Sequence, residues 1–193
     1  MGHHEGVPAG TLHEAENMSS ADGGKWEIKL RDETVILVRR IEPEDAASIQ
    51  RFYSRLSRET IYQRFFGPYP DLDGERARHF ADLDGELRYA LVALDPQNED
   101  EIIGIARFNR DDSSEDTAEY AVVVEDAWQG KGLGTQLTRS ALGKARERKI
   151  NILHAAVQPE NRRMVQVLQG LGMPELVRWN NGAERFEIDI SED

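Results

Sequence analysis

The chain has 193 residues, which is enough for one ordinary α/β domain and short for two. Hydrophobic residues make up 39% and charged residues 31%, and no run approaches the ~18 consecutive apolar residues that a membrane span needs. A net charge of −12 disfavours nonspecific binding to nucleic acid or to an anionic membrane. The absence of cysteine excludes disulfides, thiolate nucleophiles and cysteine-ligated metals, and it suits the reducing cytoplasm, which is the predicted location.

The N-terminal segment differs in composition from the rest of the chain. Residues 1–25 are rich in glycine, histidine, glutamate and serine, and they lack the basic and apolar regions of a secretory signal. They are predicted to form a disordered tail, in which His3 and His4 are solvated rather than metal ligands. Residues 26–193 are predicted to form a single domain.

The first half of this domain predicts one strand followed by three helices. Residues 34–39 are β-branched and apolar, as is typical of a strand. Pro43 and the two acidic residues after it indicate a helix start, and apolar residues continue at helical spacing to Leu56. Further helices are expected around residues 61–66 and over residues 74–81.

The middle of the chain predicts strands. Residues 89–94, 102–108 and 118–124 are strand-like and are separated by short turn-rich segments, which favours an antiparallel meander. Helical spacing returns from Leu133 to Ala145.

The last part predicts a strand, a helix and a hairpin. Residues 152–157 are typical of a strand, and apolar residues then recur at helical spacing up to Leu171, with Gly172 as the expected C-cap. Strands at 176–179 and 185–190 flank Asn181-Gly182, a pair typical of a type I′ turn. The element order predicts an α/β (α+β) fold with a mixed, mostly antiparallel sheet of six to seven strands flanked by helices.

A glycine-rich loop between the strand that ends at Val124 and the next helix carries the chemistry. It reads Gln129-Gly130-Lys131-Gly132-Leu133-Gly134-Thr135. Small residues let successive backbone amides converge on an anion, and a helix N-terminus adds partial positive charge, so the loop is suited to a diphosphate. The alternative is a tight turn without a ligand, but three spaced glycines before a helix favour close approach of a ligand to the backbone.

Two other phosphate loops do not fit this segment. No run matches the Gly-x-x-x-x-Gly-Lys-Ser/Thr pattern of a Walker A loop. A dinucleotide fingerprint begins correctly at Gly130 and Gly132, but Thr135 stands where its third glycine is needed.

The pattern Gln129-x-x-Gly132-x-Gly134 resembles the acetyl-CoA pyrophosphate loop of the GNAT superfamily of N-acetyltransferases. The segment from Glu160 to Met173 is similar to the Asn-x-x-Ala…Gly-Phe segment of that family, with methionines in place of the alanine and the phenylalanine. The element order from Thr34 to Ile190 agrees with the GNAT fold. Near the start, Arg39–Asp45 and the motif Ser57-x-x-Thr60-x-Tyr62-x-Arg64-Phe65-Phe66 resemble the bacterial Pat-type protein lysine acetyltransferases.

The resemblance implies an enzyme that carries an acetyl group from acetyl-CoA, as co-substrate, to a primary amine without a metal ion. The sheet is then expected to be splayed at the acetyl-CoA site, between the strand ending at Val124 and the strand at 152–157. The residues implied to bind acetyl-CoA are Val122, Val123, Val124, Gln129, Gly130, Lys131, Gly132, Leu133, Gly134, Thr135 and Asn161. Asn161 is equally suited to cap a helix, and the two roles do not exclude each other.

Glu119 is the candidate catalytic base. A lysine-type amine, with a reference pKa near ~10.4, arrives protonated at neutral pH and must lose a proton before it attacks the thioester. Strand alternation places the Glu119 side chain with Ala121 and Val123, on the strand that leads to the loop. Pat-type enzymes use a glutamate at the matching position as base, whereas the alternative is an exposed glutamate without a catalytic role. A backbone amide at Val122 or Val124 is the expected donor to the thioester carbonyl as negative charge develops.

No general acid is evident. Many GNAT enzymes carry a tyrosine where Leu168 stands, so the thiolate is expected to leave unassisted or to take a proton from water. Tyr120 should point to the face opposite Glu119 and serve core or cofactor packing. His154 is interpreted as a buried or hydrogen-bonded strand residue, and His79 as an equally structural helix residue.

The acceptor is the least constrained part. Four acidic residues in the loop before Glu119 either steer a cationic amine or form a solvated hairpin tip: Asp111, Asp112, Glu115 and Asp116. Phe65, Phe66 and Tyr69 are interpreted as core, although helices in this region shape the acceptor pocket in the superfamily. A protein lysine is the leading acceptor. The alternatives are a small amine, such as an amino acid, polyamine or aminoglycoside, and a non-catalytic acyl-CoA-binding regulatory module.

Overall fold

A computed structural model describes residues 24–67, 72–173, 175–180 and 183–191. The strands in these ranges are β1 (Trp26–Lys29), β2 (Val35–Arg40), β3 (Arg88–Asp95), β4 (Asn98–Arg110), β5 (Thr117–Val124), β6 (Ile152–Val157), β7 (Glu175–Asn180) and β8 (Ala183–Asp189). The helices are α1 (Ala46–Arg55), α2 (Arg58–Phe65), α3 (Gly74–Ala81), α4 (Leu133–Arg146) and α5 (Arg162–Gln169), and 3₁₀ turns lie at Pro43–Asp45 and Asp126–Trp128.

The strands form one sheet in the order β1-β2-β3-β4-β5-β6-β8-β7. Every neighbouring pair is antiparallel except β5 and β6. The mixed, mostly antiparallel sheet and the meander of β3, β4 and β5 are therefore confirmed. The described sheet has eight strands rather than six or seven because β1 pairs with β2. Its four residues alternate between buried and exposed, a pattern too short to stand out in the sequence.

The one parallel pair separates after three residues. Thr117, Ala118 and Glu119 pair with Ile152, Leu153 and His154, and there the register ends. β5 continues along β4 to Val124, whereas β6 stays with β8 as far as Val157. The two strands thus diverge and leave a gap in the sheet, which confirms the predicted splay.

Helices cover both faces of the sheet. The cluster on one face joins α4 and α5 to the sheet and includes Phe108, and the cluster on the other face joins α1 and α3 to it and includes Phe52. Both phenylalanines are fully buried, and each such side chain contributes about 1.5–3 kcal/mol of hydrophobic stabilisation. Val123 belongs to the second cluster and Val124 to the first, so β5 contributes to both cores by alternation.

Capping residues set the start of α2 and the end of α5, and the second of these boundaries differs from the prediction. α2 begins three residues before residue 61, because Ser57 caps it by accepting a hydrogen bond from the Thr60 amide at 3.1 Å. α5 ends at Gln169 with Gly170 as its C-cap, so the expected cap at Gly172 was wrong. Gly172, with φ of 68°, instead shapes the turn beyond the helix.

The C-terminal hairpin is confirmed in its strands. β7 and β8 are antiparallel, and Asn180 lies opposite Ala183. The predicted Asn181-Gly182 turn, the tail up to residue 23 and Tyr69 fall outside the described residues. None of the helices described here is both long enough and apolar enough to span a membrane.

Candidate functional site

A cleft of about 650 Å³ opens where β5 and β6 diverge. Its walls are the second half of β5, the C-terminal half of α2, the glycine-rich loop before α4 and the start of α5. The strands contribute mainly apolar side chains, whereas the start of α4 presents backbone amides. This combination is suited to a small ligand with an anionic end.

Most of the residues predicted to form the site line this cleft. They are Glu119, Val122, Val123, Val124, Gln129, Gly130, Gly132, Gly134, Thr135 and Asn161. Two others do not. The Leu133 side chain is fully buried in the core, and Lys131 directs its ammonium over the Trp128 ring at 4.5 Å from the centroid.

The loop has the backbone geometry of an anion-binding turn. Gly130 and Gly132 have φ of 75° and 94°, in the left-handed region that favours glycine. Gly132 caps α4, and the first helical amide that finds an intrahelical acceptor is that of Gln136, which donates to the Gly132 carbonyl at 3.1 Å. The amides of the first turn before Gln136 therefore remain available to a diphosphate.

Arg31 is a cleft residue that the sequence reasoning missed. It lies just after β1, its backbone amide donates to the Lys131 carbonyl, and its side chain lies beside Gly132. A Cβ added to Gly132 would approach the Arg31 Cγ to 3.5 Å. No local motif marks Arg31, because its proximity to the loop arises only through the pairing of distant segments.

Every second residue in the latter part of β5 directs its backbone amide and carbonyl towards the gap between β5 and β6. The Glu125 amide donates to the Ile103 carbonyl on the β4 side at 2.9 Å. Because the bonding direction alternates along an antiparallel strand, the polar backbone groups of Val122 and Val124 face away from β4. Consistently, the Val124 carbonyl accepts a hydrogen bond from the Gln129 side chain at 2.9 Å. The cleft thus has backbone amides along the diverging edge.

Glu119 lies at the point of divergence. It is the last β5 residue paired with β6, its side chain is exposed, and it lines the cleft. It shares a face of the sheet with Val123, which packs in the cluster of α1 and α3. The carboxylate is therefore on the helical side on which α2 also lies, away from α4.

Asp126, just after β5, binds the start of α2 through hydrogen bonds. Its Oδ1 accepts hydrogen bonds from the hydroxyls of Ser57, at 2.6 Å, and Thr60, at 2.9 Å. Its Oδ2 accepts one from the Ser57 amide at 2.9 Å. Partial burial alone would raise the pKa of Asp126, but the hydrogen bonds from Ser57 and Thr60 outweigh it and hold the pKa below its usual value.

Arg55 makes a second connection between the helices and the strand end. Its guanidinium bonds to the carboxylates of Glu101 and Glu125 and to the Ile102 carbonyl. The C-terminus of α1 is thereby held against β4 and against the residue that follows β5. Neither connection was evident from the sequence, because each joins residues more than 40 positions apart.

The remaining candidates have structural partners. His154 is buried, and its Nε2 lies 2.8 and 2.9 Å from the two carboxylate oxygens of Asp111, which matches its interpretation as a hydrogen-bonded strand residue. The Tyr120 hydroxyl, on the α4 face, donates to Thr138 at 2.8 Å, and burial raises its pKa. Leu168 is buried in the core.

Asn161 occupies the N-cap of α5. Its side-chain oxygen accepts a hydrogen bond from the Met164 amide at 3.1 Å, and the residue also lines the cleft. The capping role is therefore present, and contact with a ligand stays a prediction.

Comparisons with known proteins agree with this architecture. Residues 50–173 match the acetyltransferase (GNAT) family. An acetyltransferase of Pseudomonas aeruginosa is 28% identical over 155 residues, which is 80% of this chain and 83% of that protein. The crystal structure of the GNAT domain of PAT from S. lividans is 31% identical, has a TM-score of 0.79, and covers 88% of this chain and 98% of its own. The yncA protein of Salmonella typhimurium, solved with its cofactor acetyl-CoA, is 19% identical with a TM-score of 0.65 over 82% of this chain and 95% of its own.

Proposed function

Because the chain belongs to the acetyltransferase (GNAT) family, we propose that it transfers the acetyl group of acetyl-CoA to a lysine side chain of a protein, with Glu119 as general base. Membership of the family makes it an acetyl-CoA-dependent acetyltransferase. The position of Glu119 is the observation that supports its role as general base. It is an exposed carboxylate at the divergence of β5 and β6, in the wall of the same cleft as the glycine-rich loop.

Acetyl-CoA fits this cleft with its diphosphate on the amides from Gln129 to Thr135. The left-handed glycines and the amides of the first turn of α4 support that placement. The acyl end would then reach the gap between the strands. There the outward-facing amide of Val122 or Val124 donates a hydrogen bond to the thioester carbonyl as it gains negative charge.

The reaction is a direct transfer. The amine loses a proton to Glu119, through one water where the carboxylate does not reach the nitrogen. The nitrogen lone pair attacks the carbonyl carbon, the amide bond forms, and the carbon–sulfur bond breaks. As the intermediate collapses, the nitrogen gives its second proton to water. The CoA thiolate takes up a proton from water, because Leu168 supplies no acid and the Tyr120 hydroxyl already donates to Thr138.

A protein acceptor is favoured by the similarity to the PAT domain and by the Pat-type motif. The motif residues Thr60, Arg64, Phe65 and Phe66 line the cleft on the side of Glu119. Phe66 is 42% exposed and the neighbouring Tyr62 is 52% exposed, so this wall presents aromatic surface to solvent. A wide, open aromatic wall suits a lysine carried on a folded surface better than a small free amine.

The test is CoA release from acetyl-CoA, measured against a panel of lysine-containing proteins and a panel of small amines. Acetylation of a protein, located by peptide mass spectrometry, is the expected result. Turnover confined to an amino acid, polyamine or aminoglycoside would make the small-amine reading correct. Binding of acetyl-CoA without turnover on either panel would make the chain a regulatory acyl-CoA-binding module.

A further inference from the structure

Thr60 connects three parts of the site through one hydroxyl. It donates to Asp126 at 2.9 Å and accepts from the Gln129 side-chain amide at 3.1 Å. The same Gln129 amide group donates to the Val124 carbonyl, and the Gln129 oxygen accepts from Arg163 at the start of α5. Helix α2, the first residue of the glycine-rich loop and the diverging end of β5 therefore share one network.

This network adds polar contacts to a helix whose apolar residues Ile61 and Phe65 are only partly buried against the cluster of α1 and α3. The helix has eight residues, all of them described, and Thr60 alone among them is buried. A helix of two turns is not stable by itself in water and depends on tertiary contacts. In α2 those contacts are the packing of Ile61 and Phe65 against the cluster of α1 and α3, and the hydrogen bonds of Ser57 and Thr60 to Asp126 and Gln129.

We infer that Thr60 and Asp126 are positioning residues that fix the α2 wall to the acetyl-CoA loop, so that acetyl-CoA bound at the loop orders α2 for the acceptor. The inference rests on the proposed placement of acetyl-CoA and adds a coupling between its site and the acceptor wall. A diphosphate on the loop amides immobilises Gln129. The Gln129 side chain then restrains Thr60, and with it the segment that carries Phe65 and Phe66 into the cleft.

Coupling of this kind is reciprocal. If bound acetyl-CoA orders α2 and so raises the affinity for the acceptor, an acceptor bound to α2 raises the affinity for acetyl-CoA by the same factor. Typical coupling factors are about 5- to 150-fold. The coupling therefore stabilises the complex with both ligands bound, whichever of them binds first.

The experiment compares Thr60→Val with Thr60→Ser by hydrogen exchange of the full-length protein, with and without acetyl-CoA. Valine keeps the volume and removes the hydroxyl, whereas serine keeps the hydroxyl. In the unmodified protein, saturating acetyl-CoA should slow exchange of the amides at 58–66 by at least about fivefold, together with the loop at 129–136. Thr60→Val should keep the protection of the loop and lose that of α2, and Thr60→Ser should retain both.

Asp126→Ala and Asp84→Ala form a second matched pair, with stability as the internal control. Asp84 also accepts three hydrogen bonds, from the amides of Glu86, Leu87 and Arg88, but it lies outside the cleft lining. Both variants should be destabilised to a similar extent, because each loses three hydrogen bonds to one carboxylate. Only Asp126→Ala should uncouple α2 from acetyl-CoA.

The outcomes separate the inference from the proposed function. Protection of the loop without protection of α2 in the unmodified protein would overturn the coupling alone. If acetyl-CoA still protected the α2 amides fully in Thr60→Val, the role of the network would be overturned. The same holds if that protection were lost in Asp126→Ala and Asp84→Ala alike. Protection of neither segment would overturn the placement of acetyl-CoA and the inference together.

Discussion

Glu119 and His154 are the last two residues that β5 and β6 hold in register, and only Glu119 lines the cleft. Parallel neighbours point to the same face, so two titratable side chains stand next to each other in different surroundings. His154 is buried and bound to the carboxylate of Asp111, whereas Glu119 is exposed. This relationship supports the proposal that the glutamate accepts the proton and that the histidine has a structural role.

Glu119→Gln should separate turnover from acetyl-CoA binding. Glutamine keeps the shape of the side chain and removes its basicity, so the affinity for acetyl-CoA should hold while kcat falls by roughly 10²–10⁴-fold. The defect should shrink as the pH approaches the amine pKa of ~10.4, because more acceptor is then already deprotonated. Steady-state kinetics on an acceptor from the panel, with calorimetry of acetyl-CoA binding, measure both quantities. Near-normal turnover at neutral pH would place the base elsewhere, with His154 as the next residue to test.

His154→Asn is the matched control on the neighbouring strand. The variant removes the imidazole that bonds to Asp111, so it should lower the free energy of unfolding by about 1–3 kcal/mol. Turnover measured well below the melting temperature should persist, since His154 does not line the cleft. Chemical denaturation and the same kinetic assay give both values, and a loss of kcat as large as that of Glu119→Gln would contradict the structural role.

Gly132→Asp should abolish acetyl-CoA binding. An aspartate there adds a side chain at φ of 94°, beside Arg31, and places negative charge where the diphosphate is expected. Gly143→Asp is the control, because it adds the same charge to α4 at a position with open space around it. Calorimetry should find binding lost in the first variant and retained in the second. Equal affinity in both would refute the placement of the diphosphate.

Tyr120→Phe tests the assignment of that tyrosine to the core. Burial raises the Tyr120 pKa, against the opposing effect of the Thr138 hydrogen bond, so the folded state favours the neutral phenol. Its contribution to stability is therefore present below the unfolded pKa of about 10 and decreases as the pH rises above it. Removing the hydroxyl should cost about 0.5–1.5 kcal/mol at neutral pH, and less above pH 10. Denaturation midpoints across this pH range measure the difference, and a kcat defect with a new alkaline limb would instead make Tyr120 an acid in the reaction.

The sequence predicted those parts of the site that depend on local geometry. Three spaced glycines before a helix favour a loop whose backbone amides approach an anion. The segment Gln129–Thr135 could therefore be proposed as a diphosphate-binding loop from the local sequence alone. Alternation along β5 likewise placed Glu119 with Val123, as found. In both cases the physical requirement acts over a few residues.

The contacts that organise the site were not predictable in this way. Thr60 belongs to a motif that was noticed, yet its partners Asp126 and Gln129 lie more than 60 residues further along the chain. Arg31 reaches the loop through a contact between segments far apart in the chain, the hydrogen bond from its amide to the Lys131 carbonyl. The start of α2 at Arg58 was not predicted, because its first turn is polar and is fixed by the Ser57 cap rather than by apolar spacing.

The last strand of the sheet is not at its edge. β8 follows β6 and β7 in the chain but lies between them in the sheet, so it must insert between two segments that are synthesised before it. Until residues 183–189 emerge, β6 has a neighbour only along its first three residues, and the strand that forms one side of the gap is held at one end alone. The cleft therefore cannot assemble until β8 is in place, and a chain cut before β8 should fail to form it even though every residue of the cleft lining is present.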